Sequence, residues 1–183
     1  DAAQGGAIVA FDGFDSWGSA GLLVSYARTH FKVHEHFGEG NFDTVVAAPY
    51  ATFYWGKGYT EIGVLAGALH THQQRKIQFP GVDEVVKSSY WGSVVDPHLS
   101  LGYDFDLGSC CFIEPYLSLD WLVLWSPCYS EDGSSFAMHV EKSNSSLLRS
   151  EVGLNFYQTW CGESWSHSLR ETVSYLNHKS FSL

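Results

Sequence analysis

The sequence predicts an all-β protein, an antiparallel up-and-down sheet of about eight strands, on three observations. Apolar and polar residues alternate with period two along most of the chain, no segment carries a helical period, and the connections between segments alternate strictly between short and long. A period of two sends successive side chains to opposite faces of a strand, so each segment has one apolar and one largely polar face.

Residues 6–11 form a short apolar run that ends at the turn cluster Asp12-Gly13-Phe14-Asp15. Residues 17–28 alternate, with Ala20, Leu22, Val24 and Tyr26 in one row. Residues 44–55 follow, with Val45, Ala47, Pro49, Ala51, Phe53 and Trp55 in a row; Pro49 is awkward there, because proline cannot donate to a ladder. In residues 59–72, Ile62, Val64, Ala66 and Ala68 oppose Glu61, Gly63, Leu65 and Gly67.

Residues 93–125 are a hairpin in which every apolar row falls on odd numbers. Val95, Pro97, Leu99, Leu101, Tyr103 and Phe105 alternate with Asp96, His98, Ser100, Gly102, Asp104 and Asp106, and Ile113, Pro115, Leu117, Leu119 and Trp121 continue beyond the turn at Gly108-Ser109. A plain two-residue loop would throw the two rows onto opposite faces, so the connection needs an odd loop or a bulge near Cys110. Residues 146–157 add a row of Leu148, Val152, Leu154 and Phe156, and residues 167–178 a less regular one in which Glu171 accompanies Leu169, Val173 and Tyr175.

Between these strands, residues 12–16, 56–58, 107–109 and 160–164 are short connections, whereas 29–43, 73–89 and 126–145 read as long polar loops, the last with a brief strand at 136–140. One side of the sheet therefore has tight turns and the other long loops. Aromatics make up 16% of the chain and gather at both ends of the strands: Trp17, Trp55, Tyr59 and Trp160 near the tight turns, Tyr26, Trp91 and Trp125 near the long loops. Two aromatic girdles flanking an apolar band, with unequal loops, are the pattern of an outer-membrane β-barrel. A soluble sandwich or lipocalin-like barrel with a ligand cavity is the alternative, and it requires the apolar rows to converge inward.

Composition narrows the function. No stretch reaches the ~18 apolar residues of a membrane helix. A net charge of -10, from 20 acids against 10 bases, excludes nucleic acid as a partner, since phosphate contacts need Lys and Arg. Cys110, Cys111, Cys128 and Cys161 lack the spacing of a zinc site.

Several phrases are family-like. Phe112-Ile-Glu-Pro-Tyr-Leu-Ser118, followed by Ser145-Ser-Leu-Leu-Arg-Ser-Glu-Val-Gly-Leu154, resembles the C-terminal β-domain of autotransporters. Arg75-Lys-Ile-Gln-Phe-Pro-Gly81 and Ser174-Tyr-Leu-Asn-His-Lys179 resemble, more narrowly, the chlamydial polymorphic outer-membrane proteins. The resemblance implies a closed barrel of about twelve strands in a Gram-negative outer membrane, which anchors and helps export an N-terminal passenger. Its partners would be outer-membrane lipid, its own passenger and the barrel-assembly machinery, with no cofactor and no catalytic residues. Eight strands are too few for that barrel, both ends fall on the long-loop side, and Phe181-Ser-Leu183 lacks the terminal aromatic assembly signal. Residues 1–183 are accordingly expected to be one β-barrel domain, incomplete at an end.

With the apolar rows turned to lipid, Glu61, Asp96, His98, Asp104, Glu114, Asp120, Arg149 and Glu151 line the pore, where Glu114 with Arg149, or Glu151 with a neighbour, would cross-link adjacent strands. Cys111 and Cys161 come within reach of a disulfide on the tight-turn rim if residues 146–157 pair next to the Cys110 strand. His34 with His36 and His70 with His72 are H-x-H pairs, yet no third ligand is dictated, so no metal site is expected. Asp96 and His98 form half of an acid–base pair with no nucleophile elbow or metal-binding helix to complete a hydrolase.

Overall fold

The computed structural model describes residues 2–33, 38–108, 110–161 and 166–182. Eight long strands follow one another: β1 (Ala2–Asp15), β2 (Gly18–Val33), β3 (Gly38–Trp55), β4 (Gly58–Phe79), β5 (Val82–Tyr103), β7 (Cys111–Ser126), β10 (Ser143–Cys161) and β11 (Ser166–Ser182). Three short pieces intervene, β6 (Phe105–Gly108), β8 (Tyr129–Ser130) and β9 (His139–Val140). The sheet order is β1-β2-β3-β4-β5-β7-β10-β11 with every neighbour antiparallel, β6 pairs with β7, and β8 with β9 form a separate ribbon. Among the described residues β1 and β11 do not pair with each other, so the sheet has two open edges.

Register joins the apolar rows of all eight strands into one face. Phe11 stands opposite Leu22, Leu22 opposite Pro49, Ala51 opposite Ile62, Ile62 opposite Leu99, Leu99 opposite Leu119, Leu117 opposite Val152, and Val152 opposite Tyr175. That face is bare: Leu22, Val24, Ile62, Leu117, Trp121 and Leu154 are exposed, and Val173 reaches 76%. Among the described residues only Val86, Val94 and Val123 are buried hydrophobics, while Ser19, Thr71, Ser88, Ser100, Glu114, Asp120 and Asn155 are buried polar residues of the opposite rows. A soluble fold hides apolar surface because burial stabilises it by ~25 cal/mol per Å². This arrangement is the reverse, which suits lipid outside and water within. The soluble alternative, with apolar rows converging inward, is therefore not favoured.

The odd-numbered hairpin is resolved by a bulge. Asp106 pairs with Phe112 but Gly108 with Cys111, a one-residue shift that leaves Leu107 extra, and Gly108 and Cys110 both take positive φ to close the turn. Three of the five prolines coincide with a gap in a ladder. The β3–β4 pairing skips Ala48 and Pro49, the β5–β7 pairing skips Asp96 and Pro97, and Pro115 marks the gap that separates β6 from β5. At that gap Asp104 N donates instead to Lys57 O at 2.8 Å.

Two expected loops are strand. Residues 29–33 and 38–43 continue β2 and β3, and 73–79 with 82–89 continue β4 and β5 up to the turn at Pro80-Gly81, where Gly81 has φ +88°. Polar composition there marks the exit from the apolar band rather than the end of the ladder, since backbone hydrogen bonds pair whatever the side chains. β4 and β5 run 22 residues each, against the ~9–11 that cross a bilayer. Of the expected long loops, 126–145 stays a loop over most of its length, and its expected strand shrinks to His139–Val140. The 160–164 turn is reached by β10 up to Cys161, and 162–165 lie outside the described residues.

Candidate functional site

All eight expected pore residues fall on the polar-row face, and the register decides which of them meet. Asp120 on β7 lies between His98 on β5 and Arg149 on β10. Arg149 Nε donates to Asp120 Oδ2 at 2.9 Å, and His98 Nδ1 stands 2.6 Å from Oδ1. A carboxylate only accepts, so the imidazole proton sits on Nδ1. Glu61 Oε1 on β4 lies 3.9 Å from His98 Nε2, beside the knot but beyond hydrogen-bond distance.

Glu114 anchors a second knot nearer the tight turns. Asn155 Nδ2 donates to it at 2.7 Å, Tyr59 OH at 3.3 Å and Tyr157 OH at 3.4 Å, and Thr172 Oγ1 on β11 donates to Asn155 at 2.7 Å. Tyr59 belongs to β4, so it must cross β5 to reach β7. It does so over Gly102, its register partner, where a Cβ would overlap the ring. The same device recurs at Tyr116, which lies over Gly153 and donates to Glu151 at 2.6 Å, and at Tyr50 over Gly21.

The expected link between Glu114 and Arg149 is corrected by this register: Glu114 stands opposite Asn155, six positions from Arg149, which meets Asp120. The expected link from Glu151 to a neighbour is made by Tyr116. Asp96 shares the face of His98, but the imidazole is held by Asp120, and Asp96 Oδ1 is buried without a partner. Asp104 sits at the β5–β6 break. Tyr59, Tyr116, Asn155, Tyr157 and Thr172 were not legible as site residues; tyrosines on polar rows opposite glycines are the signal, and it needs the register.

His70 binds Ser89 Oγ at 2.9 Å and stacks on Trp91 at 4.7 Å, whereas His34 and His36 lie outside the described residues. The pairing of Cys111 with Cys161 falls on a side chain outside the described residues; Cys111 stands opposite Gln158 in the ladder.

The family model described as "Autotransporter beta-domain" matches residues 1–178. The chain belongs to the autotransporter β-domain family. The β-domain of the Bordetella autotransporter BrkA is similar, with a TM-score of 0.71 at 17% identity, over 99% of this chain and 74% of that one. The translocator domain of the autotransporter NalP from Neisseria meningitidis is also similar, with a TM-score of 0.63 at 12% identity, over 99% of this chain and 75% of that one. No curated protein sequence matches. Those neighbours are barrels, so the autotransporter β-domain described above is an all-β barrel fold of the Gram-negative outer membrane, and its function is export of a passenger. The family is a translocator family rather than an enzyme family. In an outer-membrane barrel the tight turns face the periplasm and the long side faces out.

Proposed function

We propose that the polar rows of this β-domain line a water-filled lumen through which the passenger moves, and that Glu61, Asp96, His98, Asp104, Glu114, Asp120, Arg149 and Glu151 form its wall. The carrying observation is the two knots: both tie three or more strands together on one face through charged or polar side chains, while the exposed Leu, Val, Ile and Trp side chains gather on the other. The wall has a stabilising role and the domain carries out no catalysis of its own. Lipid meets the apolar face directly, and the barrel-assembly machinery inserts it.

The functional barrel is larger than the eight strands, at about twelve, because β1 and β11 present open ladder edges that a membrane does not tolerate. Residues 1–183 are then part of one such domain, of the type found in the chlamydial polymorphic outer-membrane proteins.

Expression of the full-length protein with an epitope in its passenger tests the reading. Its unboiled form should migrate faster than its boiled form on a gel, and external protease should remove the epitope from intact cells. A full-length chain recovered as a water-soluble monomer overturns it.

A further inference from the structure

Above the level at which β7 ends, β5 continues without a neighbour on that side. Its pairing with β7 begins only at Ser93 opposite Trp125, so residues 82–92 keep a free backbone edge. The loop after β7 fills it: Lys87 and Asp132 exchange both backbone hydrogen bonds at 2.9 Å.

The side chains of that loop land on the lumen-facing rows of β4 and β5. Tyr129 stacks on Tyr90 at 4.1 Å, and its hydroxyl accepts from Gln73 Nε2 at 3.1 Å. Glu131, only 7% exposed, receives Arg75 through two bonds of 2.8 and 2.6 Å and also accepts from Met138 N at 3.1 Å. Val86 is sealed beneath at 1% exposure. A cavity of about 270 Å³ remains between Glu131 and the ends of β2, where Phe31 and Val33 form its apolar side.

Protecting an edge needs no more than a backbone bridge or a charged tip. A mostly buried ion pair adds little net stability over apolar packing, yet removing one partner strands the other, so it makes a fastening that single changes release. We propose that residues 127–142 form a clasp over the outer mouth of the lumen, fastened by Arg75 and Glu131, which swings aside while the passenger passes. This rests on the translocator reading above.

The test uses the full-length protein with all its native cysteines, Cys110, Cys111, Cys128 and Cys161 among them, changed to serine and a Lys87→Cys/Asp132→Cys pair added. Residues that exchange both bonds stand ~5.5 Å apart at Cα, within disulfide range. Oxidation should abolish the appearance of new passenger at the cell surface and reduction should restore it, with the cysteine-free protein indifferent to both. Equal display in the two redox states overturns the clasp, as does failure of the two thiols to couple. In planar bilayers Glu131→Gln should raise single-channel conductance while heat-modifiable mobility is retained; an unchanged conductance also overturns it. Display by the cysteine-free protein that the lock does not affect leaves the translocator reading intact, whereas no display by any form removes both.

Discussion

Glu114 receives donors from β4 and β10 and, through Asn155, is tied to β11. Removing its carboxylate leaves Asn155, Tyr59 and Tyr157 without their acceptor in a half-dry wall, a loss of ~1–3 kcal/mol for Glu114→Ala. The temperature at which the fast-migrating folded form disappears on a gel should fall for this variant and fall less for Glu114→Gln. Glu131 lies outside the apolar band, and the hydrogen bonds from Arg75, the largest influence, hold its carboxyl below the ordinary glutamate range. A lowered folded pKa stabilises the clasp above the ordinary value of ~4.3 and loses that contribution as pH falls through the folded value. Hydrogen exchange in residues 127–142 should therefore stay protected from neutral pH to about 4.3 and rise only in stronger acid. Which residues of a strand share a row was legible, because that follows from odd or even numbering within the strand. Their partners were not: Asn155 lies 41 residues from Glu114, and only the register brings them together.

At the scale of the strand, each side chain has a prescribed solvent. Lysine in the apolar row, as in Leu119→Lys, costs ~2–4 kcal/mol at the bilayer midplane. Such a variant should accumulate unassembled in a membrane fractionation assay, while Ser118→Lys, one residue away on the wall, should assemble. Gly102→Ala sets a methyl group against the Tyr59 ring and breaks the bridge from β4 to β7, so its folded form should lose heat resistance much as Glu114→Ala does. The strands themselves were legible from their alternation, and the ladder gaps from Pro49, Pro97 and Pro115. Their true lengths were not, because beyond residue 73 the rows lose their apolar contrast once both faces meet water, although β4 and β5 stay paired as far as Phe79 and Val82.

At the scale of the whole molecule the sheet sets most of its charge and amide on one face and its exposed Leu, Val and Trp on the other, and the proposed barrel turns the first face inward. The outer-membrane family was legible from the paired girdles and the family-like phrases, whereas two of the three expected long connections are continuations of the strands. Closure was not, because β1 and β11 carry no feature that names what lies beside them. The hairpin from β5 to β7 states the claim most compactly: Leu99, Leu117 and Trp121 toward lipid, Asp96, Glu114 and Asp120 toward water. A cysteine scan along residues 114–121 of the full-length protein, in outer membranes and without the native cysteines, reads this directly. A water-soluble maleimide should label positions 114, 116, 118 and 120 and spare 115, 117, 119 and 121. Labelling of the odd positions with protection of the even ones would contradict the account.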